Sequence, residues 1–401
     1  LSMTYNDSTA GDDSKKLEFS PRPAIINAEK TREPLAWYLN CVRMAKANFA
    51  KLRFSSLDLK PGEALTGEQN MYLDQDGTEV LIKDQGNYLN DYKVESTSYG
   101  SLIDLGSGNL DFQLDPAVKT TLKEAIDNKE SIFRYPSSRG CPEFNTAVSE
   151  YLQRQFNLKI ASSDVIPFNG TFNALQALTL TFLDPGDQII IPQPGFAAMY
   201  CTSLISGSVP LSVRLKENGL IDLQDLTSLA EKNSRAKVLY MNFPSNPMGI
   251  TAPQSFFEEI ITIAKKYNLI VVNDMEDVFM SHTDKRVVSF LETPHALDVG
   301  VELHTFSKSY GLAGLRLGFA TGNTNIIDSL RKYNGASLTM VPTLVQYAGI
   351  AALSHPPFKN EKIIKDRLNL AITELNKLGW EGLHLPSYGY NIWLPIPDTF
   401  S

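Results

Sequence analysis

VELHTFSKSYGLAGLRLGFAT (residues 301–321) contains two apolar runs, VELHTF (301–306) and LRLGFAT (315–321), joined by a polar bend that carries a lysine and an arginine. Working outward from it, runs of the same kind recur toward the N-terminus: LIVVND (269–274), KVLYMNF (237–243), VPLSVRL (209–215), QIIIP (188–192) and DVIPF (164–168). Amphipathic stretches lie between several of them, QSFFEEIITIAKKYN (254–268) being one. Short strands apolar on both faces and separated by helices predict an α/β fold, with a mostly parallel sheet covered by helices on both sides. In such sheets ligands bind outside the carboxyl ends of the strands, where every polar cluster singled out below also falls.

Composition excludes several classes of function. With 401 residues, 43% hydrophobic and 20% charged, the chain can bury a sizeable core and form two to three domains. Lys+Arg 37 against Asp+Glu 45 gives a net charge of −8, and no basic run suggests a nucleic-acid groove or an anionic membrane surface. Cys41, Cys141 and Cys201 are too widely spaced for a disulfide framework or a CxxC pair, which points to a reducing compartment. The 5 histidines show no metal-ligand spacing, so no metal is expected. No apolar stretch reaches the ~18 residues of a membrane helix, and no signal-peptide core is present. The expectation is a soluble cytoplasmic protein.

Residues 1–20 read as a flexible polar tail, and 21–100 as an N-terminal extension. Within the extension, PLAWYLNCVRMAKANFAKLR (34–53) has the apolar spacing of one amphipathic helix. Beyond it, short apolar runs such as VLI (80–82) alternate with the turn pairs Asp76-Gly77 and Gln85-Gly86. A large domain over 101–330 and the start of a smaller C-terminal α+β domain over 331–401 complete the division.

Four clusters carry chemistry. FNGTFNAL (168–175) opens a helix, so the free amides of Thr171, Phe172 and Asn173 and the positive end of the dipole form a phosphate site; an ordinary turn and cap is the plain alternative. PSNPMG (244–249) is a tight turn that presents Asn246 as an amide donor, or simply a strand-to-helix loop. Asp274 ends a buried strand, where a carboxylate is costly unless it meets a cation. It is either a helix N-cap or the partner of a protonated ring nitrogen. Finally, Lys308 stands at a strand end among hydroxyls and is followed by Gly314-Leu315-Arg316-Leu317-Gly318. A partly desolvated lysine near cations can lose its proton and attack a carbonyl. Arg316 supplies the planar fork that grips a phosphate.

In order and spacing these clusters resemble the class I and II aminotransferases, pyridoxal-phosphate enzymes of fold type I, over roughly residues 101–397; TFSKSYGLAGLRLG is the most specific part. The resemblance implies that Lys308 forms a Schiff base with the cofactor and shuttles a proton, while Asp274 keeps the pyridine nitrogen protonated. It implies that Asn246 donates to the ring 3′ oxygen and that Gly170, Thr171, Phe172, Thr305, Ser307 and Arg316 surround the phosphate. Phe196, in the QPGF that follows QIIIP, would lie on the ring face or merely pack in the core. Tyr135 would reach the phosphate of a neighbouring subunit, so a homodimer with shared sites is expected. Gly108 and Asn109, in LGSGN (105–109), would contact the substrate carboxylate together with Asn246. The implied reaction moves an amino group from an amino acid to a 2-oxo acid. Lyase, cyclase or oxidase chemistry on the same cofactor, and a silent cofactor-binding regulator, are the alternatives.

The chain departs from the family pattern twice. Where the family reads Asp-x-x-Tyr, this chain reads Asp274-Met275-Glu276-Asp277. An ionised Asp277 accepts hydrogen bonds only, so it cannot replace a phenol donor; either Asp277 or Glu276 meets a cationic part of the substrate, or the carboxylate turns outward to solvent. GYNIWLPIP (389–397) reads as the strand that opens the small domain's sheet, and no residue matches the family's substrate-carboxylate arginine. Either the sequence is clipped or the substrate is anchored differently.

Overall fold

The computed structural model describes Asn70–Leu73, Glu79–Ile82 and residues 108–394 except 285, 356 and 381, all within the compact unit Lys51–Ser401. The tail, the helix expected over 34–53 and residues 105–107 of LGSGN lie outside the described residues. Strands β1 (Asn70–Leu73) and β2 (Glu79–Ile82) pair antiparallel, with Asn70 opposite Ile82, so the VLI run is one arm of a hairpin.

All seven apolar runs are strands of one sheet. They are β3 (Val165–Phe168), β4 (Gln188–Gln193), β5 (Val209–Arg214), β6 (Ala236–Asn242), β7 (Ile270–Asp274), β8 (Gly300–Thr305) and β9 (Gly318–Gly322). The order across the sheet is β3-β9-β8-β7-β6-β4-β5, and β9 alone runs against the rest. Period-two alternation then sends side chains to two buried faces in every strand but the edge strand β5, where only Val213 is buried. In β6, Leu239 and Met241 join one core cluster while Val238 and Tyr240 join the other.

Helices cover both faces. Gln254–Tyr267 buries Phe256, Phe257, Ile260, Ile261 and Ala264 at the expected three- and four-residue spacing, and ends where Asn268 turns left-handed at φ 54°. Phe257 meets Phe290 edge-on at 5.7 Å, and full burial of such a ring contributes roughly 1.5–3 kcal/mol.

The C-terminal strand expected from residue 389 does not form: 389–394 are irregular. Gly389 sits at φ +86°, which breaks the extended run, and among the described residues of this segment only the single bridge Ser281–Tyr388 is made. The segment is instead stitched over the turn after β7. His282 N donates to Ser387 O (2.9 Å), Gly389 N to Met280 O (2.8 Å), and Tyr388 N to Gly249 O (3.1 Å).

Candidate active site

The parallel strands end on one edge of the sheet, and β9 starts there, because Gly318 pairs with both Phe168 and Thr305. The bend between β8 and β9 is held by Phe306 N donating to Leu317 O at 3.0 Å and Ser307 N to Thr305 Oγ1 at 3.1 Å. That bend lifts Lys308 over the edge. Its Nζ donates to Gly108 O at 2.8 Å, stands 3.5 Å from Glu276 Oε1 and lies 5.3 Å from the centre of the Tyr390 ring.

Arg316 is exposed, has φ 51° and donates through Nη1 to Ala313 O at 3.0 Å. Its guanidinium crosses Gly170, where a Cβ would fall 2.6 Å from Nη2. Gly170 also needs φ +83° to open the helix Thr171–Phe182. At Gly318 a Cβ would meet His304 O at 2.7 Å and the Thr171 N at 3.3 Å, so both glycines allow the bend to approach the helix start. Thr171 is buried and Phe172 half-buried.

Asp274 ends β7 with no exposure. Its Oδ2 accepts from the Tyr240 hydroxyl at 3.2 Å, its backbone O accepts from Asn242 Nδ2 at 2.8 Å, and its Oδ1 has no partner among the described residues. No helix follows it, so the N-cap reading fails; residues 276–279 form a turn. Burial pushes the Asp274 carboxyl well above the ordinary carboxylate range, and the Glu276 charge adds to the rise. Asn242 Oδ1 also accepts from Asn246 N at 2.6 Å, tying the PSNPMG turn to the same strand end.

The outward-facing reading of Asp277 is corrected. The residue is 1% exposed, not turned to solvent, and neither carboxyl oxygen has a partner among the described residues. Burial first, and then the Glu276 charge, raise its carboxyl well above the usual range, with Lys308 opposing. The neutral acid so favoured is a hydrogen-bond donor, which an ionised Asp277 is not. The physical reason is the covering segment, because a Cβ on Gly389 would come within 3.1 Å of Asp277 Oδ2.

Other expected residues are more scattered. Phe196 caps the helix Ala197–Ser206 and packs half-buried on the core cluster that includes Tyr240. Tyr135 is 94% exposed on a turn with Phe133, also exposed. Asn109 is exposed beside Gly108. Tyr240, Asn242 and Tyr390 were not among the sequence candidates, and Glu276 was named only as a partner for a cationic part of the substrate. A tyrosine and an asparagine in the buried second half of β6 were the available signal for the first two.

The donor set fits a phosphate-bearing pyridine aldehyde. The exposed Arg316 fork and the amides behind Gly170 suit the phosphate. The unpartnered, buried Asp274 Oδ1 suits a ring N–H, whose cation would offset the cost of burying the carboxylate. Lys308 supplies the amine.

The sequence family described as aminotransferase class I and II matches residues 100–387. The LL-diaminopimelate aminotransferase of Syntrophobacter fumaroxidans is 34% identical over 318 residues, 77% of this chain and 80% of that protein. The enzyme of the same name from Desulforudis audaxviator is 33% identical, covering 74% and 76% of the two chains. An aminotransferase structure from Staphylococcus aureus superposes with a TM-score of 0.70 at 26% identity, covering 78% of this chain and 83% of that one.

Proposed function

The chain belongs to the class I and II aminotransferases, and we propose that its amino-group transfer runs at Lys308, with Asp274, Asn246 and Arg316 holding the cofactor. The enzyme depends on pyridoxal phosphate and acts on amino acids and 2-oxo acids. The reading is carried by one observation: Asn246, Asp274, Lys308 and Arg316, spread over 71 residues of chain (246 to 316), converge on the carboxyl edge of one sheet.

Bound there, pyridoxal phosphate supplies an aldehyde for covalent capture of amines and a ring that spreads the negative charge left at the substrate Cα. Lys308 Nζ is the group that moves protons, and the Gly108 carbonyl orients it. Asp274, supported by Tyr240, keeps a proton at the ring nitrogen. Arg316, with Gly170, Thr171, Phe172, Thr305 and Ser307, holds the phosphate, and Asn246 presents its amide to the ring oxygen. Phe196 stacks on the ring, and Gly108 and Asn109 meet the substrate carboxylate.

The aromatic turn bearing Phe133 and Tyr135 projects into solvent, which supports a homodimer in which Tyr135 completes the partner's phosphate site. Residues 101–330 form the cofactor domain and 331–401 belong to the smaller one, after a tail (1–20) and an extension (21–100). Cys141 and Cys201 are free, in keeping with a cytoplasmic enzyme.

The test is an absorbance spectrum of the loaded protein before and after single amino acids, LL-diaminopimelate first because the relatives are named for it. A visible band that bleaches to the amine form of the cofactor with donor alone is expected. A band that persists while ammonia or peroxide appears would favour a lyase or oxidase. Lys308→Ala is expected to lack the band.

A further inference from the structure

We propose that Glu276 is the proton acceptor for Lys308, taking up the proton that Nζ gives away when the lysine bonds to the cofactor's aldehyde carbon. The inference rests on the reading of Lys308 above.

Lys308 Nζ makes three direct contacts among the described residues, and the Asp277 carboxyl feels its charge without a hydrogen bond to it. The Gly108 carbonyl and the Tyr390 ring can hold an ammonium but cannot take its proton. Glu276 Oε1, at 3.5 Å, can. Both side chains are largely out of water, at 7% and 16% exposure for Glu276 and Lys308. An ion pair so placed is stable only while both charges are present.

Forming the carbon–nitrogen double bond removes one of them. The ammonium carries three protons: two leave with the aldehyde oxygen as water, and the third goes to the Glu276 carboxylate. Nothing is oxidised or reduced. The groups facing Glu276 then favour its acid form. Asp277 lies beside it in the same turn, Asp274 ends β7 under the Tyr240 hydroxyl, and Tyr390 covers the turn from the C-terminal segment. The Arg316 guanidinium is the other cation near it, and it is exposed. Burial already raises the Glu276 carboxyl, and the Lys308 charge is the chief influence holding it down. Once that charge is lost, the desolvation cost is relieved by protonation.

The experiment uses the full chain with isotope-labelled glutamate. Infrared difference spectra are taken as pyridoxal phosphate is added to the cofactor-free protein, with visible absorbance recorded on the same sample. The expected result is loss of a glutamate carboxylate band and gain of a protonated glutamic acid band in step with the visible band. The acid band is absent in Glu276→Gln and kept in Asp277→Asn. A visible band without a glutamic acid band means the proton stays on nitrogen or leaves for solvent, and overturns the proposal; so does an acid band that survives in Glu276→Gln. Absence of the visible band overturns the Lys308 reading itself. If Glu276→Gln fails to fold, the wild-type and Asp277→Asn spectra still decide.

Discussion

The Tyr240 hydroxyl donates to Asp274 Oδ2 at 3.2 Å across two neighbouring strands, and both side chains are fully buried. The register explains the contact: Tyr240 sits opposite Val272, so Asp274 is its diagonal neighbour two residues along. Tyr240→Phe removes the one side-chain donor to the Asp274 carboxyl among the described residues. The expected cost to the cofactor-free protein is about 1–3 kcal/mol, read from urea unfolding. An unchanged midpoint would show that the bond carries no weight.

Gly170→Ala separates strain from phosphate binding. At φ 83° and ψ 165° the position suits glycine alone, and the new methyl would press on Arg316 Nη2. Arg316 can swing away, but the backbone cannot, so about 1–3 kcal/mol of stability is lost even without cofactor. Arg316→Ala, at an exposed side chain, is expected to leave the unfolding midpoint nearly unchanged while weakening pyridoxal phosphate binding at least about tenfold. Fluorescence titration of the two variants beside their unfolding curves distinguishes the effects.

The three buried carboxyls of the site are expected to make a contribution to the stability of the cofactor-free protein that falls as pH rises. Asp274, Glu276 and Asp277 all have folded-state carboxyls raised above their ordinary values, chiefly by burial. Between the ordinary carboxylate range, around pH 4, and those raised values, the native state binds more protons than the unfolded chain. Their contribution is therefore fully present below that range and is lost as pH climbs through the raised values. Asp277→Asn cannot ionise and is expected to flatten the dependence and raise stability near neutral pH. Unfolding midpoints at a series of pH values check it, and a wild-type curve that rises toward neutrality would contradict it.

What could be read in the sequence was what local pattern encodes. β3, β4 and β6 to β9 were legible because each is a short run largely buried on both faces, and the edge strand β5 because its run is apolar; Lys308, Asp274 and Asn246 were legible because they follow such runs. β9 starts three residues later than its apolar run, because a turn over Ala313–Leu315 and the left-handed Arg316 come first. Tyr390 and the contact of Glu276 with Lys308 were silent because their meaning lies in what they touch. Lys308 reaches Glu276 across 32 positions (276 to 308), and Tyr390 arrives only because the C-terminal segment crosses the turn after β7. The failed strand at 389 has the same origin: its apolar pattern suits a strand, but Gly389 turns to clear Asp277.

Subunit mixing tests the shared site. Tyr135 is 94% exposed, so Tyr135→Ala is expected to leave the melting temperature of the fold within about 2 °C of the wild type while lowering activity. Lys308→Ala is expected to be inactive. If each site takes Lys308 from one subunit and Tyr135 from its partner, unfolding and refolding the two variants together creates hybrid dimers. One site of each hybrid then has both residues intact and the other lacks both. Activity should reappear in the mixture and rise toward the value for one working site per hybrid dimer. Activity no greater than the sum of the separate variants, in a sample shown to contain hybrids, would place Tyr135 outside its partner's site.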